Sequence, residues 1–192
     1  MQLQKLLKMK NYIKIFTYIM IFSLFSFVKA NQSSSAFDFT FKSINEGEII
    51  DLNKYNNKVL LVVNVASRCG YTTQYSDLQK LWEDYKNDGL VVIGVPSNNF
   101  RQEPGSNNEI KDFCEVNFNI TFPMTEKLTV LGSNAHPFFI WAKESYGISA
   151  IPKWNFHKIL VGKNGKISNT FSSFTNPNSK KMRNAIEREI KS

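Results

Sequence analysis

A chain of 192 residues that is 42% hydrophobic and 14% aromatic can bury one core of ordinary size and is too short for two comfortable domains. Its formal charge of +8 suggests a nucleic-acid partner, but Lys5, Lys8, Lys10, Lys14 and Lys29 lie in the first thirty residues, which hold no acid, and leave only +3 for the rest. That remainder is interspersed with carboxylates except at the C-terminal "SKKMRNAIEREIKS", and no groove-reading motif accompanies it, so composition gives no case for nucleic-acid binding.

The first thirty residues read as an address. Lysines precede "IFTYIMIFSLFSFV", Ile15 to Val28, an uncharged run of 14 residues. Such a run fits the apolar region of a signal peptide and falls short of the ~20 residues a spanning helix needs. Val28 and Ala30 form a small-residue cleavage pattern. A leader over residues 1–30, removed on entry to the secretory route, is expected, with a retained anchor as the alternative and the final compartment open. The mature domain, residues 34–192, is not expected to insert into a membrane.

"VLLVVNVA", Val59 to Ala66, is a continuous run rich in β-branched valine, the mark of a central strand buried on both faces. From Gln74 the period changes, and Tyr75, Leu78, Leu81, Trp82 and Tyr85 fall on one helical face that Asn87-Asp88-Gly89 terminates. "LVVIGV", Leu90 to Val95, predicts a second buried strand, parallel to the first through a right-handed crossover. After the loop "PSNNFRQEPGSN", Ser106 and Glu109 make a capping box for a helix through "NEIKDFCEV". "HPFFIWAKE" is a short helical segment. "WNFHKILV", "KNGK" and "ISNTF" read as strand, turn and strand, and a terminal helix starts near Asn178, after Pro177. The order β-α-β-α-β-β-α predicts an α/β, thioredoxin-like fold: a mixed central sheet with helices on both faces.

The chain has two cysteines, Cys69 and Cys114. In an oxidising compartment a pair first suggests a structural disulfide. A metal is not indicated, because His136 and His157 lack ligand spacing. Cys69, however, sits where the first strand turns into the first helix. Reactants gather outside the carboxyl ends of strands in open α/β sheets, and unpaired amides at a helix start stabilise negative charge on sulfur. Arg68 adds a positive neighbour. A dithiol motif would need a second cysteine three positions on, where this chain has Thr72. A lone activated thiol suits attack on a peroxide, giving a sulfenic acid that another thiol must resolve.

"NVASRCGYT", "RQEPGSNNEI" and "KWNFHKILV" resemble, in order, the three signature blocks of the glutathione peroxidase family. The resemblance covers about residues 34–191. It implies hydroperoxide reduction at Cys69 without a prosthetic cofactor, with Gln102, Trp154 and Asn155 as the partners of the reacting sulfur. Neutral donors of these types favour thiolate over thiol and can hold a departing oxygen. It also gives Cys114 a second meaning, as the resolving cysteine of an atypical two-cysteine peroxidase recycled by thioredoxin. Ser97 stands where some members carry another cysteine. Asn99 and Arg101 depart from the Gln and Gly of many relatives, and "FSSFTNPNSKK" departs from a more usual Pro-Thr-rich stretch. The chain between "HPFFIWAKESYG" and "ISAIPKWNF" lacks the insertion that tetrameric members use, so a monomer is expected. Tyr71, Phe100 and Trp154 would then rim an open site able to admit lipid hydroperoxides. Glutathione dependence, a peroxide sensor or relay, and an inert thioredoxin-fold interaction module stand as rival readings.

Overall fold

The run Val59–Val65 forms strand β3, and every one of its residues is buried, as a strand covered on both faces requires. The computed structural model of the chain describes residues 35–192, so the leader reading of residues 1–30 lies outside the described residues. Two strands precede β3: β1 (Thr40–Lys42) and β2 (Ile49–Asp51) pair antiparallel as a small hairpin of their own. Neither was expected. Each is three residues long, too short to show a period of two above its polar flanks.

Helix α1 (Gln74–Tyr85) follows β3, ends in a 3₁₀ turn over Lys86–Asp88, and stops at Gly89 with φ 104°, the left-handed closure glycine makes without strain. Strand β4 (Leu90–Pro96) then lies parallel to β3, with Val59 opposite Leu90 and Val65 opposite Pro96. Helices α2 (Asn107–Phe118) and α3 (Pro137–Tyr146) come next, then strands β5 (Lys158–Val161) and β6 (Ile167–Phe171), and last α4 (Lys180–Lys191). The main sheet runs β4-β3-β5-β6, with β5 antiparallel to both β3 and β6, which is the mixed sheet expected from the sequence.

Alternation along β3 sorts the core. Val59, Leu61, Val63 and Val65 face a cluster with Tyr75, Leu78 and Leu81 of α1, Ile110 and Cys114 of α2, and Met182, Ala185 and Ile186 of α4. Leu60 and Val62 face the other cluster, with Phe41 and Ile50 of the hairpin and Phe138, Phe139 and Trp141 of α3. Each such aliphatic side chain contributes ~1.5–3 kcal/mol by burial. Truncating a fully buried one, Leu78→Ala for example, would cost ~2–5 kcal/mol with its cavity.

One boundary differs from the sequence reading. The strand expected from Trp154 begins at Lys158. Between them Phe156 takes φ 62°, and two residues face one of β3 as in a bulge: the Phe156 amide donates to the Asn64 carbonyl (2.6 Å) and the Asn64 amide to the His157 carbonyl (3.3 Å). The buried Asn64 side chain of β3 adds to that pairing, donating from Nδ2 to the Trp154 carbonyl (3.1 Å) and accepting at Oδ1 from the His157 amide (3.1 Å). An asparagine inside an apolar strand needs partners for both ends of its amide. Here those bonds set the approach of residues 154–157 to the end of β3.

Candidate active site

Cys69 lies in the loop between β3 and α1, is only 8% exposed, and is a free thiol. Its sulfur accepts the Tyr71 amide N–H at 3.4 Å, so the backbone does turn a donor toward it. Thr72, where a dithiol enzyme would carry its second cysteine, has a structural task. Its Oγ1 accepts from the Cys69 amide (3.0 Å) and donates to the Ala66 carbonyl (2.9 Å), closing the loop on itself.

A second loop, residues 97–105 after β4, fixes the first from the side. The Arg68 amide donates to the Gln102 carbonyl at 3.0 Å. The Ser67 amide and hydroxyl both donate to Glu103 Oε2, at 2.7 and 2.9 Å, and the Glu103 amide donates to Asn98 Oδ1 at 3.0 Å. Glu103 is almost fully buried, and burial raises its pKa against the lowering effect of the two Ser67 bonds. Hydrogen bonds to an ionised acceptor are roughly twice as strong as neutral ones, so this carboxylate is a firm anchor two residues before the thiol. Nothing in the sequence beyond the position of Glu103 in "RQEPG" marks it as that anchor.

Of the residues expected around the sulfur, Gln102 and Asn155 meet each other: Asn155 Nδ2 donates to Gln102 Oε1 at 2.8 Å. Their amides are thereby oriented as a pair, and among the described residues the hydrogen bonds bring neither amide onto Sγ. Asn155 is completely buried, and its Oδ1 has no hydrogen-bond partner, an acceptor left open inside the site. An unsatisfied buried acceptor costs ~1–3 kcal/mol. The Ser173 hydroxyl holds Asn155 from behind, donating to its carbonyl at 2.6 Å. Trp154 is 41% exposed and packs on Phe100 with ring centroids 5.3 Å apart. Its indole therefore stands at the rim.

Trp154 and Tyr71 also line a pocket of about 580 Å³ with Ile151, Phe174 and His157. Phe174 is largely exposed and meets Tyr71 edge-on at 5.8 Å, an aromatic member of the rim that the sequence reading did not include. His157 is buried, its Nε2 lacks a partner, and burial with the nearby charges of Lys158 and Lys153 lowers its pKa to about 4. It is neutral at pH 7.

Cys114 occupies quite different ground. It is the eighth residue of α2, 2% exposed, and it too is a free thiol, so the structure holds no disulfide between the pair. The expected capping box is present: Ser106 Oγ accepts from the Glu109 amide (3.3 Å) while Glu109 Oε2 accepts from the Ser106 amide (2.7 Å). Burial pushes the Cys114 thiol up to about 11. The Tyr75 hydroxyl lies beside it, near enough for each group to shift the other's ionisation, but without hydrogen-bond geometry. Among the described residues no group of three or more His, Cys, Asp or Glu could hold a metal ion.

A buried thiol just past the carboxyl end of a central strand, in a mixed sheet flanked by helices, is the layout of a thioredoxin-like fold. The fold agrees with a thiol:disulfide interchange protein of the thioredoxin family from Chlorobium tepidum (TM-score 0.59, 16% identity, 79% of this chain and 92% of that one). The glutathione peroxidase family model matches residues 36–143. A glutathione peroxidase homolog, BsaA of Bacillus subtilis, is 46% identical over 136 residues, 68% of this chain and 84% of its own length. The glutathione peroxidase-like peroxiredoxin 2 of Saccharomyces cerevisiae is 42% identical over 152 residues, 77% of this chain and 90% of its own. The crystal structure of T. cruzi GPX1 superposes with a TM-score of 0.65 at 28% identity, covering 83% of this chain and 98% of that one. The chain belongs to the glutathione peroxidase family. It is a thiol peroxidase that reduces hydroperoxides.

Proposed function

We propose that Cys69 is the peroxidatic residue and Cys114 the resolving one. The observation that carries this reading is the position of Cys69: a thiol at the strand end, its sulfur accepting an amide N–H, in a loop anchored by Glu103 beside the Gln102–Asn155 pair. The Cys69 thiolate attacks one peroxide oxygen, and the O–O bond breaks. Cys69 becomes a sulfenic acid, and the other oxygen leaves as an alkoxide that takes up a proton to give the alcohol, or water from hydrogen peroxide. Gln102, Trp154 and Asn155 supply N–H donors for the departing oxygen.

Resolution forms an S–S bond between Cys114 and Cys69 and releases the sulfenic oxygen as water. With its thiol held up at about 11, Cys114 is a poor nucleophile inside α2, so the helix opens locally before the bond forms. A thioredoxin-type dithiol then reduces the disulfide, and the cycle needs no other group. The reductant assignment draws on the yeast relative's description as a peroxiredoxin. The apolar pocket beside Trp154 favours organic hydroperoxides, and a Synechocystis relative, 43% identical over 141 residues, is named a hydroperoxy fatty acid reductase. The mature domain acts as a monomer that enters the secretory route by its leader without inserting into the membrane; no helix among the described residues is long and apolar enough to cross one.

The test is peroxide turnover coupled in parallel to thioredoxin and to glutathione, on the wild type and on Cys114→Ser. Thioredoxin should sustain turnover of the wild type, and Cys114→Ser should complete one fast oxidation and then stall. Glutathione-driven turnover untouched by Cys114→Ser would overturn the resolving role.

A further inference from the structure

Lysine is almost never fully buried without a charged partner. Lys158, the first residue of β5, is 0% exposed, and among the described residues it makes no ion pair. Its ammonium instead donates to Gln74 Oε1 (2.5 Å), on the first residue of α1, and to the Thr175 carbonyl (2.8 Å), in the segment 172–178 that follows β6. The same two elements are joined again around it. Gln74 Nε2 donates to the Ser173 carbonyl (2.7 Å), and the Asp77 carboxylate accepts from Asn176 (2.7 Å) and Asn178 (2.8 Å). Ser173 carries the connection into the site through its hydroxyl bond to the Asn155 carbonyl, and Phe174 between them packs on Tyr71.

We propose that Lys158 is a positioning residue for the peroxidase reaction: its buried ammonium clamps segment 172–178 onto the start of α1 and so, through Ser173, sets Asn155 against Gln102. The proposal rests on the reading of Gln102 and Asn155 as partners of the reacting site. A purely structural role does not account for a charge here. Replacing buried ionic groups by apolar ones of similar volume is often neutral or stabilising, so a methionine would fill this space with less desolvation cost. What a methionine lacks is the ability to bridge two acceptors on different elements by charge-assisted bonds. Burial lowers the Lys158 pKa to about 7 against the raising effect of the Asp77 carboxylate, and the amine keeps N–H donors for both acceptors in either charge state.

The experiment follows oxidation of Cys69 by hydrogen peroxide in Lys158→Met, Lys158→Gln and Gln74→Met, using stopped-flow tryptophan fluorescence, with mass spectrometry to locate the oxidised residue. Lys158→Met should lose about tenfold or more in second-order rate, since a misplacement of about 1 Å in a site can cost up to ~10²-fold. Lys158→Gln keeps one donor on a shorter arm and should recover part of that loss. Gln74→Met cuts the same clamp from α1, should slow oxidation as well, and serves if the lysine variants fail to fold. Oxidation at the wild-type rate in Lys158→Met, or in Gln74→Met where only that variant folds, would overturn the proposal whatever the melting temperatures. A glutamine variant no faster than the methionine one would also overturn it. If Cys69 is not oxidised even in the wild type, the reading of the site has failed, which is a different result from an unchanged rate.

Discussion

Cys69 and Cys114 are buried thiols in the same side of the core, yet the structure holds them in opposite ways. The Cys69 loop is irregular backbone fixed by side chains that reach across elements: Glu103 to Ser67, Thr72 to Ala66, Asn64 to Trp154 and His157. Cys114 sits in regular helix, and only Ile110 and Cys114 of the twelve residues of α2 are buried. Regularity is thus a poor guide to rigidity here. A loop with buried, satisfied polar links is costly to open, whereas a short polar helix with two buried residues belongs to the least stable part of the fold. In the proposed cycle the first cysteine would act by being held and the second by being releasable.

Substitution at the held cysteine should have the largest effect. Cys69→Ser replaces the thiol by a hydroxyl that does not ionise in the working pH range and should abolish peroxide reduction. Appreciable turnover by that variant would remove the distinction between the two sites. Next come the proposed partners of the sulfur. Gln102→Ala, Asn155→Ala and Trp154→Phe should each slow the second-order reaction with peroxide, by ~10²–10³ where a single oriented donor is lost. Because Gln102 and Asn155 are bonded to each other, their double variant should be little slower than the worse single one. Additive losses would mean that the two amides act separately.

A smaller effect concerns pH on the held side. His157 is buried neutral with a pKa of about 4, against an ordinary value of about 6.5 when unfolded. Between these values the unfolded chain takes up a proton that the native one refuses, so the contribution is whole above pH 6.5 and falls away toward pH 4. About 2–3 kcal/mol is at stake. Urea midpoints at pH 7 and pH 4.5 should differ by clearly less in His157→Phe than in the wild type, and an identical acid loss would contradict this. Smallest is Arg101, whose φ of 59° is a glycine conformation. Arg101→Gly should change stability by no more than about 0.5–1 kcal/mol, in the stabilising direction, as relief of left-handed strain is partly offset by the freedom glycine adds to the unfolded chain. A loss of stability would show that the arginine side chain contributes more than its backbone costs.

The sequence was most informative where a single period or motif governs. β3, β4, α1 and the capping box of α2 all follow from local pattern, and Arg101 was already visible as a departure from glycine, the residue its left-handed backbone favours. Cys69 was legible because a strand-to-helix junction is a known place for chemistry. What could not be read was any role set by partners far away in the chain. Asn64 marks itself as a polar residue in an apolar run, but its partners lie some ninety positions on. Lys158 reads as a polar residue at the edge of the apolar run Ile159–Val161, and only the fold reveals it as fully buried. The start of β5 was misplaced for the same reason, since a left-handed Phe156 has no local signal. The helix that carries Cys114 was legible from its capping box, but the burial of the thiol against Tyr75 is tertiary.

The contrast between a held and a releasable cysteine is tested most directly by hydrogen exchange across residues 107–118, comparing the reduced protein with the Cys69–Cys114 disulfide form. The amides of α2 should lose protection on oxidation while those of β3 keep theirs. Unchanged protection in α2 would mean that Cys114 reaches Cys69 without opening the helix, and would contradict the account.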